Sequence, residues 1–270
     1  MVSSAVESRC NGSSACEVLL QYAVPGLGCV FGTALVLSPF AAVKTAYETQ
    51  RLGKLNTLPY ALMVGNAFSW IGYSWFIRDW FVFFGNIIGW IAGMFFTLLL
   101  LPLAPRSAQF LSICVLVGVS SAIQIIYGTV FVSGVEYAKG EQTMGIVANI
   151  VLVSFYGSPL SVCVSVIKEK DSTALSFPLA LTSLINGSLW TAYGIAIGNP
   201  YIGAPNALGV LFSIFQMILL SVYPKKGHGN DTEEGVALGG RLEGRGEVGE
   251  SQEALTESGT DGGSKFLHST

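Results

Sequence analysis

The chain has 270 residues, of which 51% are hydrophobic and only 11% charged, with a formal net charge of −3. A soluble domain carries about 25% charged residues, so a soluble enzyme is excluded, and nothing in the charge balance calls for a nucleic-acid partner. The composition is that of a protein whose solvent is the lipid bilayer.

The chain opens with a short polar stretch, residues 1–17, and then holds no acid or basic residue between Glu17 and Lys44. A bilayer core needs about 20 apolar residues per helical span and disfavours ions within one. The same kind of gap recurs along the chain, so spans are expected at Val18–Val43, Thr57–Ile77, Phe81–Ala104, Ala108–Gly134, Thr143–Ile167, Leu175–Ile197 and Gly203–Tyr223. Runs such as FFTLLLLPL do not alternate apolar with polar, which rules against a β-barrel and leaves helices. No basic start with a small-residue cleavage site precedes the first span, which is expected to act as its own insertion signal. After Pro224 the chain is rich in Gly, Glu, Ser and Thr and includes both histidines, His228 and His268; a disordered tail is expected there.

Short loops on the cytoplasmic side collect Lys and Arg. One side has Lys44, Arg51, Lys54, Arg106, Lys168, Lys170, Lys225 and Lys226; the other has Arg9, Arg78 and Lys139. This places the N-terminus outside and the C-terminus in the cytosol, with the plasma membrane as the default location. Cys10 and Cys16 then lie outside, where a disulfide between them or two unrelated thiols are both compatible with the sequence. Asn11-Gly12-Ser13 fits the glycosylation pattern on that side; Asn186-Gly187-Ser188 fits it too but lies within a span.

Ser158-Pro159 follows Ser38-Pro39 by 120 positions, and the same offset pairs Asn66 with Asn186, Trp70 with Trp190, Tyr73 with Tyr193, Asn86 with Asn206, Gly89 with Gly209 and Phe95 with Phe215. Chance does not place Trp, Asn and Pro at one ungapped offset over such a distance, so the chain contains a duplication. The expected architecture is an all-α membrane protein of seven helices: a first three-helix bundle at 18–104, a linker helix with its loops at 105–142 and a second bundle at 143–223, followed by the tail 224–270. Three spans per copy is odd, and the extra helix restores the orientation, so the repeats run parallel.

Residues that are both paired and polar are the site candidates. Asn86 and Asn206 sit a few residues inside apolar spans, where an unpaired amide costs a few kcal/mol; they either bond neighbouring helices or grip hydroxyl groups of a solute. Trp70 and Trp190 are matched, unlike Trp75, Trp80 and Trp90, which suit interfacial anchoring. Asn66 and Asn186 either line the cavity or brace helices. Pro39, Pro59, Pro159 and Pro178 stand near the cytoplasmic ends of the first two helices of each copy, as helix boundaries or as hinges.

The segments SPF, LPYALMVGNAFSWIGYS and GNIIGW, followed by GSPLSVCVSVIKEKDSTALSFPLALTSLINGSLWTAYG and PNALG, resemble the SWEET family of sugar transporters over about residues 22–223. That family is itself the usual example of parallel transporter repeats. The resemblance implies a cavity between two bundles that binds one sugar, with Asn86 and Asn206 as the asparagine contributed by each repeat. It also implies Trp190 packing on the sugar, Trp70 opposite it, and the four prolines as hinges. Many plant members carry a small residue in place of Trp70, so a hexose such as glucose is expected to be favoured over sucrose. No span holds Asp, Glu or His and no glycine-rich phosphate loop is present, so passive, bidirectional transport without a cofactor is expected. Another solute, such as an amino acid, on the related PQ-loop architecture is the alternative, and a seven-helix receptor a distant one. Self-association into a homo-oligomer stays open.

Overall fold

The structure, a computed structural model, describes residues 4–53, 55–155 and 157–225, without the side chains of Phe155, Ser158 and Pro159. The expected disordered tail beyond residue 225 lies outside the described residues. Among the described residues the regular elements are helices throughout, as a bilayer demands of a chain that must satisfy its backbone internally.

The chain begins with α1 (Ser4–Cys10) and α2 (Ser14–Val18), joined by a turn and by a Cys10–Cys16 disulfide. The structure thereby decides between the two readings of these cysteines. A π-helical turn, Leu19–Ala23, then leads into α3 (Val24–Leu37). Pro25 lacks an N–H and its ring crowds the preceding turn, and a widened turn relieves both. The rod breaks at Ser38–Pro39 and continues as α4 (Phe40–Thr49). It outruns the expected span because Lys44 and Glu48 pair one turn apart, 3.7 Å, on its polar end.

Next come α5 (Leu58–Ile77), α6 (Trp80–Leu100), α7 (Arg106–Val132), α8 (Tyr137–Phe155), α9 (Gly157–Glu169), α10 (Phe177–Ala196) and α11 (Pro200–Val222). Taking α2–α4 as one rod and α8–α9 as another, the described residues form seven long rods, one for each expected span. Four stretches, Ser14–Thr49, Trp80–Leu103, Arg106–Val132 and Pro200–Val222, are apolar and long enough to cross a membrane unaided.

The duplication is written into the backbone. Gln50 and Lys170 end the first rods, and Arg78 and Gly198 follow the second rods, all with left-handed φ and all 120 positions apart. A left-handed residue turns the chain so that the last carbonyls find donors. The next residue starts the following helix: Asp79 accepts hydrogen bonds from Phe81 N and Val82 N, and Asn199 from Ile202 N.

Within each unit α5 packs on α6, and α10 on α11; across the units α5 meets α8, and α10 meets α3. The linker α7 packs chiefly on α5, where the Ser112 and Thr57 hydroxyls bond at 2.7 Å. A core of Trp70, Tyr73, Phe76, Val82, Met144 and Ile202 draws on both units. Closer approach occurs between α10 and α11, where a Cβ on Gly194 would meet backbone atoms of Gly203 at 2.4 and 2.6 Å. Gly194→Ala is therefore expected to lower the unfolding midpoint in detergent, since overpacking costs about 1–3 kcal/mol. Gly203→Ala, whose nearest obstacles lie at 3.6 Å, should shift it much less.

Candidate functional site

Asn86 stands one turn into α6 and Asn206 at the matched point of α11. Each donates Nδ2 to the carbonyl four residues earlier, Val82 and Ile202, at 2.8 Å in both cases. Among the described residues neither amide is hydrogen-bonded to a neighbouring helix. One N–H is spent locally, and the second N–H and the amide oxygen keep hydrogen-bonding capacity.

Both asparagines line a cavity of about 460 Å³, together with Asn66, Trp70, Asn186 and Trp190. All six residues singled out from the sequence thus reach one hollow, of a size that suits a small solute. Its remaining wall includes Ser38, Ser183, Ser213 and Gln216 among aliphatic residues, and none of the lining residues is an acid, a lysine, an arginine or a histidine. The amide oxygens of Asn66 and Asn186 are buried without a hydrogen-bond partner. Two unpaired acceptors at repeat-related positions cost about 1–3 kcal/mol each.

The lining extends past Asn66 and Asn186 to Met63, Leu179, Ser38 and Gln216, toward the lysine-rich ends of the rods. In the other direction it stops at a buried layer of Tyr73, Tyr193, Val82 and Ile202. Here the two units interlock reciprocally. Tyr193 of α10 donates to Asp79 Oδ2 at the start of α6, 2.5 Å; Tyr73 of α5 lies 2.7 Å from Asn199 Nδ2, which donates to it, and 2.9 Å from Asn199 Oδ1 at the start of α11. Each tyrosine ring meets its own unit's tryptophan edge-on, Trp70 at 5.7 Å and Trp190 at 6.0 Å, and an aromatic ring of the other unit, Tyr201 or Phe81. Beyond the layer lies a second hollow, lined by Tyr22, Arg78, Asp79, Tyr137, Glu141 and Asn199 among others.

The sequence pairs Tyr73 with Tyr193 without giving them a role and does not single out Asp79 and Asn199, because identity at the fixed offset passes over an Asp–Asn pair that only likeness of polar shape reveals.

A further matched contact ties the first rod to the third in each unit: Cys29 Sγ donates to Phe81 O at 3.3 Å, and Asn149 Nδ2 to Tyr201 O at 3.1 Å. Of the prolines, Pro39 sits at the break between α3 and α4, whereas Pro59 and Pro178 occupy first helical turns, where a missing N–H breaks no helical bond. Pro159 falls within α9, its side chain outside the described residues. Asn11 is exposed in the turn between α1 and α2.

The comparisons with known proteins follow the same division. The family described as "Sugar efflux transporter for intercellular exchange" matches residues 23–108 and again 142–228, one match per unit. Bidirectional sugar transporter N3 of Medicago truncatula is 26% identical over 204 residues, 74% of this chain and 75% of that protein. Sugar transporter SWEET1 of Rattus norvegicus is 25% identical over 178 residues, 66% of this chain and 79% of that protein. A solved eukaryotic SWEET transporter shares the fold with a TM-score of 0.68 at 24% identity, covering 75% of this chain and 96% of the other. With both of its repeats matched in turn, this chain belongs to the SWEET family, the sugar efflux transporters for intercellular exchange.

Proposed function

We propose that the chain moves a small sugar in either direction across the membrane, down its gradient, by alternating access around Asn86 and Asn206. The observation that carries this reading is an uncharged, largely apolar cavity between the units into which four asparagines converge, closed on one face by the reciprocal tyrosine bonds. The relatives named bidirectional sugar transporters support it.

A sugar offers what this cavity lacks. Its hydroxyls exchange bonds with Asn86 and Asn206, while its C–H faces lie against the Trp190 indole. An amino acid carries two opposite charges, and the lining has no charged group to meet either. Release to the lysine-rich side, read as cytosolic, needs only the opening already present. Release to the other side requires both tyrosine bonds to break and the opposite ends of the units to close. The first rod can bend where its helix is already broken at Ser38–Pro39.

Asp79 accepts from Phe81 N, Val82 N and Tyr193 Oη, which holds it as a structural cap. Transport then proceeds without proton coupling, and the N-terminus faces outward at the plasma membrane. Trp70 and Trp190 together narrow the cavity toward a hexose rather than a disaccharide.

Uptake into liposomes with a panel of labelled sugars, with and without a pH gradient, tests this. Hexose flux that ignores the gradient is expected; accumulation abolished by an uncoupler, or efficient sucrose with poor hexose transport, contradicts it. Asn86→Ala and Asn206→Ala should each lower hexose flux about tenfold, the worth of one or two neutral hydrogen bonds. Flux that survives both places the substrate elsewhere.

The tyrosine layer is tested by access to Cys29, which lines the cavity. In a Cys114→Ser background, a membrane-impermeant thiol reagent added on the N-terminal side should label Cys29 about tenfold faster after Tyr193→Phe, which removes a hydrogen bond to a charged group worth roughly 1.5–3 kcal/mol. Tyr73→Phe, which removes two bonds to a neutral amide, should accelerate labelling by a similar factor. Labelling that neither variant changes shows that the layer does not govern access.

A further inference from the structure

The two matched tryptophans are seated differently. Trp70 is 6% exposed and belongs to the core with Tyr73, Ala148 and Ile202. Trp190 is only half-buried, and its indole crosses to the opposite unit, lying over Gly28 of α3 and Gly85 of α6. A Cβ on Gly28 would stand 3.0 Å from both Cε2 and Nε1 of Trp190; one on Gly85 would stand 3.4 Å from Cζ2 and 3.3 Å from Cys29 Sγ. The ring therefore rests against bare backbone on two helices, an approach that glycine permits and a side chain would block. The second unit has no such slot, because the positions matching Gly28 and Gly85 are Ala148 and Pro205.

We infer that Gly28 and Gly85 are specificity-determining residues, which set how far the Trp190 indole stands into the cavity and so the largest sugar the protein carries. The inference rests on the proposed transport of a sugar through this cavity. Both glycines also line the cavity but offer no polar side chain to the substrate; they act through Trp190. Packed interiors absorb little extra volume, so a methyl group at Gly28, 3.0 Å from two ring atoms, displaces the ring along its free direction, toward the cavity, and one at Gly85, in ordinary contact with the ring, limits its retreat. The space lost is about that of the methyl group, and one such group in a close-fitting pocket changes discrimination about tenfold.

The experiment compares liposome uptake of an aldohexose with that of its O-methyl ether, which is larger by one methyl group. Gly28→Ala is expected to cut uptake of the ether about tenfold relative to the parent sugar, and Gly85→Ala, with its looser contacts, to cut it less. Combining Gly28→Ala with Trp190→Leu, which removes the pyrrole-ring atoms that the new methyl group strikes, should restore the ratio toward that of Trp190→Leu alone. If Gly28→Ala does not fold, Gly85→Ala with and without Trp190→Leu makes the same comparison. A ratio that neither glycine variant changes, or a loss that Trp190→Leu does not relieve, overturns the inference and leaves the glycines a packing role only. Wild-type liposomes that take up neither sugar overturn the transport reading itself, and the inference with it.

Discussion

The hydroxyl of Tyr193 reaches across the molecule to the carboxylate that starts α6, and Tyr73 answers it with the amide that starts α11. Each bond joins the second helix of one unit to the third helix of the other, so the two repeats are fastened at one end. The cavity consequently opens at the other end, and its floor is the layer of rings these hydroxyls belong to. Breaking the bonds exposes buried hydroxyl, carboxylate and amide groups, and within a membrane protein such groups need replacement partners. The alternatives are therefore discrete: the layer is bonded, or it is open and hydrated.

Symmetry supplies the frame and departures from it supply the chemistry. A pseudo-twofold pair of asparagines can meet a solute from two sides, which suits a carrier that must release in both directions. A sugar has no twofold symmetry, however, and the cavity is correspondingly uneven. One tryptophan is part of the core and the other rests on glycines; one tyrosine bonds a carboxylate and the other an amide. A bond to a charged group is roughly twice as strong as a neutral one, so the single bond of Tyr193 roughly balances the two that join Tyr73 to Asn199.

At the N-terminal end, the disulfide-linked pair α1 and α2 lays Val6 and Cys10 against Ala196 at the end of α10, with Ile197 beside them. The corresponding place in the second unit is taken by Tyr137, which donates to Trp75 O and stacks near Arg78. Both devices hold the start of one unit's first rod to the end of the other unit's second rod. They thereby reinforce the same face that the tyrosines close.

Charge gaps and identical residues at one offset are properties of a line of letters, and from them alone came the number of rods, the duplication, and the asparagine and tryptophan pairs. Ions are expelled from a bilayer whatever the helices do next, and a duplication leaves its spacing in the sequence whether or not the copies touch. Contact between the copies is another matter. Only the tertiary structure decided that Asp79 and Asn199 receive tyrosines from the opposite unit, that Asn66 and Asn186 keep unpaired oxygens, and that Gly28 and Gly85 hold Trp190. Each of these depends on atoms more than fifty residues apart meeting within a few ångströms, and side-chain bonds of that kind follow no periodicity along the chain.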